Sequence, residues 1–360
     1  KFAGLNGLLI SLLNYLLFSV SLIILVKYYL KNREKDQLLI FTLLLTLPST
    51  VIFYIPYTEA LFMFTMALAL LGHSQKKYGL YFIACTAMAM LRPAVLIILL
   101  AIIAIEMISW FRHRKTKEFL SSLTRMSLPF ITGTILSILI QNISSGSFNT
   151  MTLAQNYWEG KIGLFTQISD WSIEGFGMNV FALFFIAIPA LIILFYTLLN
   201  RTIFKSFYNK QLLLREDSGL VFFLISIFYL SAVLIFILLT AQGNLHSFFR
   251  FTMCSPAFYI VGIFFLAKQR EHCTKFTSFL AFIPAVLLAI FLSNVEFGGS
   301  RMDFAYTGMY LSILSFYLLF FLGYMHNVLR WSLSIIVIFA SIVWNAYLLN
   351  IFLNEGWIFT

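Results

Sequence analysis

The chain has 360 residues, 61% of them hydrophobic and only 11% charged, with a mean hydropathy of +0.93, far from the composition of a water-soluble globular domain. No polar stretch is long enough to fold as a separate soluble domain of ordinary size, which excludes the cytosolic-enzyme, nucleic-acid-binding and secreted-disulfide classes. The formal net charge of +10 is therefore read against the tendency of cytoplasmic loops to hold Lys and Arg.

Apolar runs between charged or turn-rich breaks predict about twelve membrane segments, near 7–28, 37–54, 60–72, 78–91, 94–111, 126–141, 176–199, 218–240, 252–267, 276–293, 304–324 and 331–353. With the loop Lys31–Asp36 placed in the cytoplasm and sides alternating, 19 of the 24 Lys and Arg residues fall at cytoplasmic ends. The exceptions are Lys1, Arg92, Lys161, Arg250 and Arg301. The expected molecule is an all-α polytopic membrane protein, a single transmembrane domain over 1–360, with 142–175 as its longest non-cytoplasmic loop. This topology puts Lys1 outside without a signal-like segment, and so carries the expectation that at least one further N-terminal helix precedes the first span. The alternative is an N-out protein short of only a few residues.

The segments 60–72 and 78–91 hold 13 and 14 residues, whereas a straight helix needs about 20 to cross the hydrocarbon core. Pro56 and Arg92-Pro93 flank them, which predicts helix ends inside the membrane region. Irregular backbone is tolerated there only against protein or a water-filled cavity, so a cavity on the non-cytoplasmic side is expected.

Familiar soluble chemistry has no anchor in this chain. Cys85, Cys254 and Cys273 lack paired spacing, no His or Cys cluster has zinc geometry, and Walker, dinucleotide and Gly-x-Ser-x-Gly motifs are missing. No metal site is therefore assigned.

Unexplained polar residues concentrate on the outer side. The long loop holds Tyr157, Trp158 and Glu159, then Asp170, Trp171 and Glu174. Indole faces stack on the C–H faces of sugars while hydroxyls donate to acids, so Trp158, Glu159, Asp170 and Trp171 are candidate sugar or acceptor contacts. An interfacial aromatic belt accounts equally well for the two Trp residues. Arg301 and Asp303, after Phe297-Gly-Gly-Ser300, add a polar cluster on that side, and Glu106 is a lone carboxylate inside a span.

Glu59 stands at the head of a short apolar helix, where the helix dipole favours a carboxylate and capping explains part of its presence. Arg92 and Arg250 are costlier to place. A cation at membrane depth costs about 2.5–3.5 kcal/mol on insertion scales, and such residues are functional candidates. Arg250 follows His246 by four residues, one helical turn, and a guanidinium beside an imidazole suits a phosphate. The competing reading for each arginine is a structural ion pair with Glu59, Glu296 or Asp303.

The stretch from Leu47 to Phe62, which includes Pro56-Tyr57-Thr58-Glu59-Ala60-Leu61-Phe62, and the later Leu91-Arg92-Pro93-Ala94 resemble the PIG-V-type mannosyltransferases and their bacterial relatives. Trp158 in the long loop and Phe249-Arg250-Phe251 ahead of Pro256 extend the resemblance. It implies the GT-C architecture, a helical bundle that takes a sugar from a polyprenyl-phosphate carrier outside the cytoplasm with inversion. By that resemblance Arg92, Arg250 and His246 would hold the donor phosphate, while Glu59 and Tyr57 would line the sugar site, Glu59 being the candidate catalytic group in the chain. The family's acidic base would lie in a first outer loop upstream of Lys1.

The expected function is an integral-membrane glycosyltransferase, most simply a mannosyltransferase, using a polyprenyl-phosphate sugar and a lipid or glycan acceptor. No resident cofactor is implied, and divalent-metal dependence is open. A non-catalytic GT-C-like subunit binding a lipid or partner protein is the second reading, and a lipid-linked-sugar transporter the third. Transport predicts internal repeats with interrupted helices in corresponding halves, whereas the short segments here fall only in the first third. Short loops favour a bacterial inner membrane over the endoplasmic reticulum.

Overall fold

The computed structural model describes residues 5–92, 95–114, 116–145, 182–199, 217–240, 248–272, 296–297, 300–301 and 327–354. These residues are helical throughout, apart from short connections and a two-residue antiparallel pairing of β1 (Glu296–Phe297) with β2 (Ser300–Arg301). The expected segments 276–293 and 304–324 lie outside the described residues. Among the described residues, four helices are long and apolar enough to cross a membrane, at Leu9–Tyr29, Thr116–Ser145, Ser218–Ile237 and Trp331–Leu353. The chain forms two compact units, one from the described residues within 1–57 and 262–360, the other from those within 58–171 and 179–261.

In the first unit, α1 (Leu5–Tyr29) packs on α2 (Glu34–Thr46), and α11 (Asn327–Leu353) packs on α2 and on a 3-10 helix at Pro48–Phe53. Phe18 of α1 stacks on Phe53 with centroids 4.2 Å apart. Helix α2 stops because Pro48 disfavours helical backbone at the residue before it, and Leu47 is indeed extended at φ −51°, ψ 142°. The carbonyls freed by this break find side-chain donors. Asn345 Nδ2 donates to the carbonyls of Thr46 at 2.7 Å and Leu47 at 3.2 Å, and Asn14 Nδ2 donates to those of Ile55 at 2.6 Å and Tyr57 at 2.9 Å. An irregular stretch thus persists among apolar helices because two asparagines satisfy it.

The second unit begins with α3 (Glu59–Ser74) and α4 (Tyr78–Leu91), an antiparallel hairpin turned by Lys76 at φ 56°. Helix α4 packs on α6 (Thr116–Ser145), which packs in turn on α5 (Val95–His113). Gly133 of α6 lies against the Thr86 carbonyl and the Ala89 side chain so closely that a Cβ there would collide with both. Helix α7 (Ile188–Leu199) follows a π turn at Leu183–Ala187 and meets α8 (Ser218–Thr240). The most apolar stretch of α8 is 72% buried, against 33%, 28% and 22% for the other three membrane-length helices. Helix α8 is accordingly the most buried of these four, touching α3, α5 and α7, while the other three present long apolar faces outward.

The expected segment 252–267 divides into a short α9 (Phe248–Thr252), a turn at Met253–Ser255, and α10 (Pro256–His272). Pro256 causes the division. It lacks an N–H and fits the first position of a new helix better than the interior of an old one.

Candidate functional site

Three backbone irregularities bring Glu59, Arg92 and Arg250 together within the second unit. Glu59 is the first residue of α3, entered through a bend over residues 55–58. Arg92 ends α4 with extended backbone, φ −149° and ψ 134°, as expected of a residue that precedes proline. Arg250 sits in the single turn α9, just ahead of the break at Pro256.

Both guanidiniums converge on one carboxylate oxygen. Arg250 approaches side-on, with Nε and Nη2 each 2.7 Å from Glu59 Oε1, and Arg92 Nη2 lies 3.2 Å from the same atom. Glu59 is fully buried, whereas the side chains of Arg92 and Arg250 keep 12% and 29% of their exposure. Glu59 Oε2 is buried and accepts no hydrogen bond. The rings of Phe62 and Phe251 lie 5.9 and 5.8 Å from the Arg92 guanidinium carbon, a cation–π placement that offsets part of the cost of removing the charge from water.

The triad carries a net charge of about +1, two guanidiniums against one carboxylate, in an environment poor in water. Two partly exposed guanidiniums thus stand in front of a fully buried carboxylate.

A small cavity of about 10 Å³, room for about one water, is lined by Phe62, Met66, Ile98, Ser226, Tyr229 and Pro256. Phe62 also lies beside the Arg92 guanidinium. Tyr229 of α8 and Cys254 lie within electrostatic reach of Glu59 and Arg92. Comparison with protein-family models, curated proteins and solved structures found no match to this chain.

The other sequence candidates stand as follows. Tyr57 is half-buried in the first unit, with its ring centroid 6.3 Å from that of Phe352 and its carbonyl held by Asn14. Arg301 pairs through its backbone with Glu296 in the two-residue ladder. His246, Trp158, Glu159, Asp170, Trp171 and Asp303 lie outside the described residues. Among the described residues, both arginines pair with Glu59, one of the ion-pair alternatives; the Asp303 alternative lies outside the described residues. Glu106 accepts a 2.7 Å hydrogen bond from Ser122 Oγ, between α5 and α6.

Sequence reasoning missed Tyr229, which stands in an unbroken apolar run with no local signal. Phe62 and Phe251 were inside the quoted motifs, but nothing in the sequence marks them as the rings beside Arg92.

Proposed function

We infer that the protein is a multi-pass membrane glycosyltransferase of GT-C type that takes a sugar, most simply mannose, from a polyprenyl-phosphate carrier on the non-cytoplasmic side. The observation that carries this reading is the pair Arg92 and Arg250, partly exposed and held by a fully buried Glu59, with the ring of Phe62 beside Arg92. The phosphate of a lipid-linked sugar is an anion, and two partly exposed guanidiniums suit it.

Charge supplies the catalytic argument. The donor is a phosphodiester of charge −1. As the acceptor hydroxyl attacks the anomeric carbon and the bond from that carbon to the phosphate oxygen breaks, negative charge grows on the departing phosphate. Fixed guanidiniums then bind the transition state more tightly than the ground state, which is what accelerates the step. The hydroxyl proton goes to a base other than Glu59, which is fully buried and engaged with two cations. In this reading Glu59 is a positioning residue for the two arginines.

The test is transfer of radiolabelled mannose from polyprenyl-phosphate mannose to extracted lipid and glycan acceptors, in membranes that contain the protein. Transfer is expected, and Arg92→Gln or Arg250→Gln should each lower it by about 10²–10³, the scale of losing one charge-stabilising donor. Equal transfer by either variant and the unaltered protein would refute the assignment. The convergence of both arginines on Glu59 also favours a second reading, a non-catalytic subunit in which the triad is purely structural. That reading predicts no transfer at all and a fold that tolerates replacement of all three charges by apolar groups.

A further inference from the structure

The hairpin of α5 and α6 ends in a feature that the sugar-transfer reading does not use. Helix α6 has 30 residues, so it is about 45 Å long at about 1.5 Å per residue, whereas the hydrocarbon core is about 30 Å thick. The excess of about 15 Å corresponds to about ten residues. Charge locates them: Lys117, Glu118 and Arg125 all lie in the first ten residues of α6, whereas the stretch from Met126 to Ser145 carries no charged side chain. No described side chain from Thr116 to Arg125 is buried, so these ten residues are the polar end left over beyond the apolar length.

This overhang interleaves cations with rings. Arg114 closes the turn from α5 in the left-handed region, φ 55°, its N–H bonded to the Trp110 carbonyl at 2.7 Å. That turn folds its guanidinium back to 5.5 Å from the Trp110 ring and 5.8 Å from Phe111. Trp110 is fixed by donating from Nε1 to Thr116 Oγ1 at 3.2 Å and by contact with Phe119 at 5.7 Å. At the far end of the overhang, Arg125 lies 4.3 Å from the Tyr78 ring and donates to its hydroxyl at 2.9 Å. Phe111, Arg114, Lys117, Leu120 and Arg125 are all exposed. Between 112 and 125 the sequence places five Lys and Arg residues against one carboxylate, Glu118.

We propose that the overhang, from Trp110 to Arg125, is a docking surface for anionic phospholipid headgroups of the adjoining leaflet. Charge complementarity decides the occupant. The hairpin continues directly from apolar helices, so its rings and cations lie at headgroup depth, where amphipathic rings settle and basic side chains attract anionic lipid. Each basic group near such a surface is worth a factor of about five in local affinity. The proposal is independent of the glycosyltransferase reading, because the triad of Glu59, Arg92 and Arg250 takes no part in it.

The experiment reconstitutes the full chain into vesicles that mix phosphatidylglycerol with phosphatidylcholine, each tested in turn as a photoreactive analogue, and maps the crosslinks by peptide. The expected result is labelling of the segment 110–125 at least about fivefold stronger with phosphatidylglycerol, reduced towards parity in Arg114→Gln/Lys117→Gln and by raised salt. Labelling by phosphatidylcholine elsewhere on the chain should stay unchanged in that variant, which confirms its fold. Arg125→Gln supplies a second, separately placed test. Equal labelling by the two lipids, or a preference untouched by both variants, overturns the proposal. Loss of the preference when glycerol 3-phosphate is added at matched ionic strength would assign the surface to soluble phosphates and overturn it too.

Discussion

Glu59 Oε1 receives two guanidiniums while Oε2 is buried without a hydrogen bond, an arrangement that holds only as long as the carboxylate stays charged. Glu59→Gln keeps the shape and removes the charge, leaving Arg92 and Arg250 facing each other across an amide. Breaking a buried pair by removing one partner costs about 3–5 kcal/mol, and the residual exposure of both arginines places the expected loss at the lower end. Thermal unfolding in detergent should show a reduced midpoint for Glu59→Gln, and an unchanged midpoint would mean that the carboxylate does not hold the arginines. Arg250→Lys is the complementary case. It keeps the charge but cannot reproduce the side-on approach of Nε and Nη2, so sugar transfer should drop at least about tenfold while the fold survives. Full transfer by Arg250→Lys would reduce the site to a simple point charge. At this scale the sequence was informative for a physical reason: charges in apolar surroundings are costly, and Glu59, Arg92 and Arg250 stood out on that ground alone. That they meet was not legible, since Arg250 reaches Glu59 across 191 positions of chain.

The elements around the site are shaped by prolines. Pro48 and Pro256 each begin a new element after a break, and Arg92, before a proline, ends α4; the helix end at Arg92-Pro93 was readable, whereas the expected segments 37–54 and 252–267 ran through Pro48 and Pro256. The devices that make the breaks tolerable were not readable either. Asn14 and Asn345 look like incidental polar residues in apolar runs, and their carbonyl partners lie 41 to 299 positions away. Asn345→Leu would leave the Thr46 and Leu47 carbonyls without that donor, at an expected cost of about 1–3 kcal/mol. Thermal unfolding checks this, with Asn350→Leu, on a more exposed part of the same helix, as the control that should change little. Gly133→Ala acts on packing instead. The new methyl would meet Thr86 backbone and the Ala89 side chain, and α6 would have to move off α4 at a cost of about 1–3 kcal/mol. A stability equal to that of the unaltered protein would show that the two helices have room to spare.

For the molecule as a whole, the outward faces of α1, α6 and α11 are apolar over membrane-length stretches, with residues such as Leu9, Ile140, Ile143, Ile336 and Phe339 well exposed. Apolar surface this continuous is a liability in water and an asset in lipid. The all-helical membrane class was legible from composition because every backbone group in hydrocarbon must find an internal partner. The division into two units was not, since both carry the same apolar composition and differ only in which helices they bury. Internal burial of α8 beside surface-facing α6 likewise depends on tertiary packing, although both run apolar for 20 residues or more.

The central claim is that Arg92 and Arg250, held by Glu59, form the receptor for a lipid-linked phosphate. Its most direct test is equilibrium binding of a short-chain polyprenyl phosphate to the purified, detergent-solubilised protein, compared with Arg92→Gln and Arg250→Gln. The account predicts saturable binding that each substitution weakens about tenfold or more, while the corresponding polyprenol without phosphate binds far less tightly. Equal binding of the alcohol and the phosphate, or affinity unchanged in both variants, would contradict it.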